Sequence, residues 1–501
     1  MLRAVDEQPQ PAMTLLLGRD GAVLEEQQPL EAIFPLKEET VDLRKAERTR
    51  RTSKILAGEE TINEEQVDDD ENDWGKSKEN IHDEETGIFS PIIMRLPEDV
   101  QQVLMVAACL GSLDSRLLQA STSSSEDEVS RCLAVAMENG LIKKTQAMHV
   151  FSSEDAKKDA YRAIPLRERG RFHVAIGRNL ARNLSEDELE KHVSIVLLQF
   201  HRGAKDITNN RERKAIVVLC LRGVQWAVSG SDFRSACHYS DLGVLLLGAN
   251  SWTEEYDLSL ALYNDFVEVL YCIANYEKMD AVVSEVLKNA KCFRDTLRVR
   301  STRVFSLCSR YRMAEALKEG LDVLHHLGEA FPAKPRKNHV VVEFMRTRRV
   351  LLRTSNEMIL RMPLMEDVDK IAAMQMLNLT ISTAYHTNPL MMLLMIMRMV
   401  QITVRFGLSA VSTVGFAAYS AVFCSMSKDK DQGYRYSQLA LALLDKFQTR
   451  EWIPRVYVFV YAEAGPYKCH IAKLCPHLHY AHQVGLETGD MEVSSHLVLL
   501  K

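Results

Sequence analysis

The stretch that decides the fold is DLSLALYNDFVEVLYCI, residues 257–273, followed at once by YEKMDAVVSEVLKN, residues 276–289. Leu258, Ala261, Leu262, Phe266, Val269, Leu270 and Ile273 recur at the three- and four-residue spacing of one helical face. Met279, Val282, Val283, Val286 and Leu287 make a second such face. A connection this short forces the two helices to lie antiparallel, so the unit is a helical hairpin.

The hairpin has echoes along the chain. Ala236 and Leu247-Gly248 in ACHYSDLGVLLLG are matched by Ala316 and Leu327-Gly328 in ALKEGLDVLHHLG, and Tyr239-Ser240-Asp241-Leu242 returns as Tyr436-Ser437-Gln438-Leu439. Both displacements fit multiples of a period near 40, the range of tetratricopeptide-like solenoids, whose repeats bury their apolar faces only by stacking. The expectation is an all-α chain with a tetratricopeptide-like superhelix over residues 171–501.

Ahead of it the pattern differs. In LPEDVQQVLMVAACLG, Val100, Val103, Leu104, Ala107 and Ala108 share a face, with Pro97 and two acids at the start and Gly111 at the end. Asp114 caps a second helix, and Ser125 with Glu128 forms a capping box for a third, which ends at Gly140. LIKKTQAMHVFS then alternates as a small hairpin. Three helices and a two-stranded flap is the winged-helix order, which we expect over residues 91–170. Residues 1–90 read as a low-complexity, largely disordered segment with a short helix near 37–56. It carries a basic cluster (Arg44, Lys45, Arg48, Arg50, Arg51, Lys54) and an acidic tract.

The chain has 501 residues and a formal charge of −6. Thirteen acids in residues 59–86 face only Lys76 and Lys78, which leaves the body with a small positive excess that reads as evenly scattered. Phosphate contacts need clustered cations, so nucleic acid is not the expected partner. The third helix of the winged-helix segment opposes DNA in particular, because Glu126, Asp127 and Glu128 outweigh Arg131, and Lys143 and Lys144 are too few to reverse them. Ten dispersed cysteines without C-x-x-C, and the lack of a secretory leader, read as a cytoplasmic chain. Residues 406–426 hold no charge over a membrane-spanning length, but five Ser/Thr and two Gly favour a close-packed helix of a bundle, so neither a membrane span nor a membrane partner is expected. Met391, Met392, Met395, Met397 and Met399 suit either an adaptable groove or an irregular core, with core preferred.

Catalytic signatures are missing. No G-x-x-x-x-G-K-[ST], H-R-D-x-x-x-x-N, D-F-G, H-E-x-x-H or G-x-S-x-G occurs. No catalytic residue and no cofactor is therefore expected. The densest set of potential ligands is KCHIAKLCPHLHYAH, with Cys469, His470, Cys475, His477, His479 and His482. His479 and His482 would share a helical face, but the spacing lacks the paired knuckles of structural zinc, and packed or surface histidines are the plainer reading.

Taken in order, LPEDVQQVLMVAACLGSLD, CLAVAMENGLIKK, HVFSSEDAKKDAYRAIP, RFHVAIGRNL, FHRGAKDITNNRERKAIVVLCLRG, LLLGANSWTEEYDLSLALYND and GLETGD resemble one region of large signalling proteins. That region follows the AAA-like, STAND-class ATPase domain of multidomain "predicted ATPase" proteins, which are often joined to serine/threonine or histidine kinase modules. The resemblance runs from Leu96 to Asp490. It departs at Ser153-Glu154, where the family usually has His-Asp, and ahead of residue 95, where the low-complexity segment replaces the ATPase domain. The tail VSSHLVLLK also departs from it, which points to a chain shortened relative to the family. The resemblance implies a regulatory region of a signalling ATPase and supplies no catalytic residue; with the stripes, the repeat and the missing catalytic motifs, the expectation is a non-enzymatic regulatory scaffold that binds a protein or small effector. A fragment of an ATP-dependent signalling kinase and a winged-helix transcription regulator are the rival readings.

Overall fold

The computed structural model describes residues 87–145 and 148–490. The expected disorder and short helix ahead of residue 87, the basic cluster and the divergent tail lie outside them. The fold is all-α, with a single two-stranded hairpin among the described residues. The chain divides into two compact units, the first ending at Asp265 and the second beginning at Phe266.

The first unit opens with α1 (Glu98–Leu110), α2 (Ser115–Thr122) and α3 (Glu126–Glu138), then β1 (Ile142–Thr145), β2 (Met148–Phe151) and α4 (Glu154–Arg162). The strands pair antiparallel, Ile142 opposite Phe151 and Thr145 opposite Met148. Local chemistry sets each boundary. The Leu117 amide donates to Asp114 Oδ1 at 3.0 Å. The Ser125–Glu128 capping box closes in both directions, at 3.3 and 3.0 Å. Gly111 and Gly140 end α1 and α3 in the left-handed region that a side chain would strain. The predicted face of α1 is buried throughout.

Hairpins follow. In the first unit α5 (Arg169–Asn183) packs on α6 (Glu186–Arg202), and α7 (Asn210–Ser229) on α8 (Phe233–Leu247). Helix α9 (Tyr256–Cys272) contains the division, and α10 (Tyr276–Asn289) follows it. In the second unit α11 (Leu297–Ser309) packs on α12 (Met313–His326), α14 (Val368–Thr387) on α15 (Pro389–Phe406), and α16 (Ser412–Met426) on α17 (Lys430–Phe447). Single helix α13 (Lys337–Leu352) stands between the first two of these pairs in sequence. The unit ends with α18 (Ile453–Tyr457), a π-helical segment (Val458–Ala464) and α19 (Cys475–Thr488). First helices begin at Arg169, Asn210, Tyr256 and Leu297, in steps of 41, 46 and 41 residues.

A shared turn shows the repetition at the level of the backbone. Ser231, Ala274 and Tyr311 each sit midway between two helices with φ of 61°, 57° and 57°. In each turn that residue's amide donates to the carbonyl three back (Val228, Tyr271, Cys308), and the next amide to the carbonyl five back (Ala227, Leu270, Leu307), all at 2.8–3.0 Å. This is the Schellman closure of a helix end. Gly328 and Glu329 close α12 in the same way.

The sequence echoes land at equivalent places. Ala236 and Ala316 are fully buried, Gly248 and Gly328 both have positive φ, and Tyr239, Ser240 and Leu242 are buried like Tyr436, Ser437 and Leu439. Ile273 is the exception on its stripe: α9 ends at Cys272, which leaves Ile273 in the turn and exposed.

The 40-residue step from Leu297 reaches Lys337, yet no hairpin begins there. Helix α13 lies over α15, burying Val340, Phe344, Thr347 and Leu351, while α12 packs directly on α14. The latter approach is close enough that a β-carbon at Gly320 would stand 1.9 Å from Thr380 Cγ2. Helices α15 and α16 form the centre of the second core. Met391, Met395, Met397 and Met399 are buried in it, as are twelve residues of α16, among them Phe416, Tyr419 and Phe423. Each such apolar side chain contributes about 1.5–3 kcal/mol on burial. The uncharged run 406–426 is broken at Gly407, where φ is 107°. Among the described residues one helix, Pro389–Phe406, is long and apolar enough to cross a membrane, and half of it is buried in the protein.

Candidate functional site

The Cys/His segment does not assemble. Among the described residues no group of three or more His, Cys, Asp or Glu is placed to hold a metal ion. The Cys475 thiol donates to the Ile471 carbonyl at 3.4 Å, and Cys469 lies ahead of α19. His477 stacks on the Tyr461 ring at 4.2 Å, its planes 5° apart, and His479 faces Gln483 at 3.4 Å. His482 is half-buried one turn further along. Burial raises the Tyr461 hydroxyl to about 12, so it stays protonated beside His477.

Residues of the segment 91–170 likewise find structural tasks. Ser153 caps α4, accepting from the Ala156 amide at 3.1 Å, and Glu154 pairs with Lys157. Arg131 of α3 is held by Asp99 at 2.8 Å. Asp159, almost wholly buried, accepts from the Phe89 amide at 2.9 Å, which fixes the chain where the described residues begin.

A small cleft of about 20 Å³ in the second unit, room for about one water molecule, is the candidate the described residues offer. Its walls are Ser301 and Phe305 from α11, Gln375, Asn378 and Leu379 from α14, and Trp452 and Arg455 at the start of α18. Spacings of four residues on α11, and of three and four on α14, put each set on one helical face. Helices α11 and α14 pack against each other, so the two faces meet. Arg455 is held by Asp490 Oδ2 at 2.8 Å. Ser301 and Asn378 are more than nine-tenths buried, and neither they nor Gln375 makes a side-chain hydrogen bond among the described residues. Their polar atoms are not among the buried ones left unpartnered, so they reach water in the cleft, and a ligand offering a donor and an acceptor would exchange with that water. Phe305, Leu379 and Trp452 supply the apolar contact that shields such bonds from water.

Sequence reasoning missed this groove. Its signal was faint but present: Gln375 and Asn378 interrupt the otherwise apolar run IAAMQMLNLTI, where the apolar face should have continued.

No protein-family model matches the chain, and no curated protein does. Among solved structures it is similar to a Signal Transduction ATPase with Numerous Domains (STAND) protein with a tetratricopeptide repeat sensor from Pyrococcus horikoshii. The two are 11% identical over 82% of this chain and 68% of the other, with a TM-score of 0.24. The helical-repeat description therefore stands on this chain's own hairpins and turns.

Proposed function

We propose that the chain is a non-catalytic regulatory scaffold whose surface around the Asn378 cleft contacts a protein partner or an amide-bearing small effector. The observation that carries this reading is that Asn378, Gln375, Ser301 and Arg455 line one cleft, where neither carboxamide makes a side-chain hydrogen bond among the described residues. A carboxamide offers one acceptor and two donors, the complement of a peptide group. Nothing in the groove resembles an acid–base pair or an activated nucleophile, which agrees with the missing catalytic motifs. The helix order ahead of α4 fits a winged-helix-like module that works by protein contact, and we place the whole in the cytoplasm as part of a signalling assembly.

Peptide-display selection on the chain, with the Asn378→Leu variant as counter-selection, tests the groove. Recovery of a peptide consensus whose binding falls at least tenfold in Asn378→Leu and Gln375→Leu supports it. A consensus indifferent to both substitutions removes it. ATP turnover by the purified chain would overturn the non-catalytic half.

A further inference from the structure

Helix α13 and its flanks carry a dense positive charge. Residues 334–361 hold eight cations (Lys334, Arg336, Lys337, Arg346, Arg348, Arg349, Arg353, Arg361) against Glu343 and Glu357. The even scatter expected of the body does not extend to this segment.

The exposed side of α13 has an order. At about 100° per residue, Val341, Met345 and Leu352 fall in one row, about 110° around the helix from the face that packs on α15. Lys337 and Arg348 line one flank of the row, and Arg349 and Arg353 the other, with Val342 between the last two. Val341, Val342, Met345 and Leu352 are each at least half exposed. Lys337, Arg348, Arg349 and Arg353 have no carboxylate partner among the described residues, whereas Arg346 is paired with Glu343 at 3.1 Å. The opposite face is fastened: Gln401 of α15 donates to Glu343 Oε2 and Thr347 Oγ1, both at 2.8 Å.

We propose that this face of α13 docks the protein peripherally on an anionic lipid surface. An aliphatic row flanked on both sides by unpaired cations suits the boundary of an anionic bilayer, where acyl chains accept the row and headgroups neutralise the flanks. Nucleic acid would match the charge and leave four aliphatic side chains wet. The face extends the protein's interactions beyond the polar groove and does not depend on that site.

Sedimentation of the full chain with phosphatidylcholine vesicles, with and without phosphatidylserine, tests the proposal. Binding is expected only with phosphatidylserine. Each arginine near the surface is worth about fivefold, so Arg349→Gln with Arg353→Gln weakens binding about 25-fold. Met345→Ser with Leu352→Ser removes the part of binding that survives high salt. All four side chains point to solvent, so an unchanged circular dichroism spectrum and melting curve confirm that the variants fold. Failure to bind phosphatidylserine vesicles, or equal binding by parent and both double variants, would overturn the proposal. So would arginine-dependent retention of polyglutamate by a chain that ignores vesicles, which would assign the face to an acidic protein.

Discussion

Acidification should loosen the first unit through one histidine. His173 on α5 is almost wholly buried between Tyr161 of α4 and Gln199 of α6. Gln199 Nε2 donates to the Cys109 carbonyl of α1 at 3.1 Å, which leaves Gln199 Oε1 as the acceptor for His173 Nδ1–H at 2.7 Å. His173 Nε2 then accepts from the Tyr161 hydroxyl at 3.0 Å. This network fits only the neutral ring, and burial depresses its pKa from 6.5 to about 4 despite the bond to Gln199. Between those values the unfolded chain binds the proton that the folded chain refuses, so stability falls as pH falls. The loss from this residue is about 2 kcal/mol at pH 5 and approaches about 3 kcal/mol below pH 4. Urea unfolding of parent and His173→Gln, followed across this range, isolates the contribution. The variant starts less stable at neutral pH, and its decline on acidification should be shallower by that amount. Parallel declines in the two proteins would refute the assignment, because His201, also depressed by burial, acts equally in both.

Two predictions concern the second unit. Glu329 is almost wholly buried and receives Lys370 Nζ at 2.7 Å and Arg398 Nη1 at 2.6 Å; Glu329→Ala leaves two confronted cations and should cost about 3 kcal/mol, the low end for buried pairs because both cations keep some water, as measured by denaturant unfolding. Tyr419 is packed against Phe344, Phe423 and Tyr436 with a hydroxyl that has no partner, so Tyr419→Phe should hold or raise stability by about 1 kcal/mol, and a loss above that would mean the hydroxyl is bonded.

The hairpins were legible because they obey local rules. A face repeating every three or four residues, an Asp or Ser ahead of it and a glycine behind it act within a dozen residues, and Asp114, Ser125 and Gly140 did what those rules require. The capping box of Ser185 with Glu188 follows the same rule. The groove obeys no such rule. Ser301, Asn378 and Arg455 are brought together by the packing of α14 on both α11 and α12, which required α13 to be displaced. Nothing in a 40-residue period announces that one slot holds a lone helix, and that displacement also determines which side of α13 meets solvent.

The shared turn yields a last prediction, which bears on what the repeats have in common. Glycine is the usual residue where a helix closes with positive φ, yet the three hairpin turns place Ser231, Ala274 and Tyr311 there. A non-glycine residue in this region carries about 1–2 kcal/mol of strain, and glycine loses about 0.5–1 kcal/mol more entropy on folding. Tyr311 is almost fully exposed and makes no contact that would be lost. Tyr311→Gly should therefore stabilise the second unit by about 0.5 kcal/mol in denaturant unfolding, and Ala274→Gly by a similar amount. If both variants were destabilised, the side chains would be holding the turns, and the repetition would reside in specific contacts; the expected gains would place it in backbone geometry that any sequence of suitable apolar spacing can adopt, which is why the period survives in the fold after the residue matches have faded.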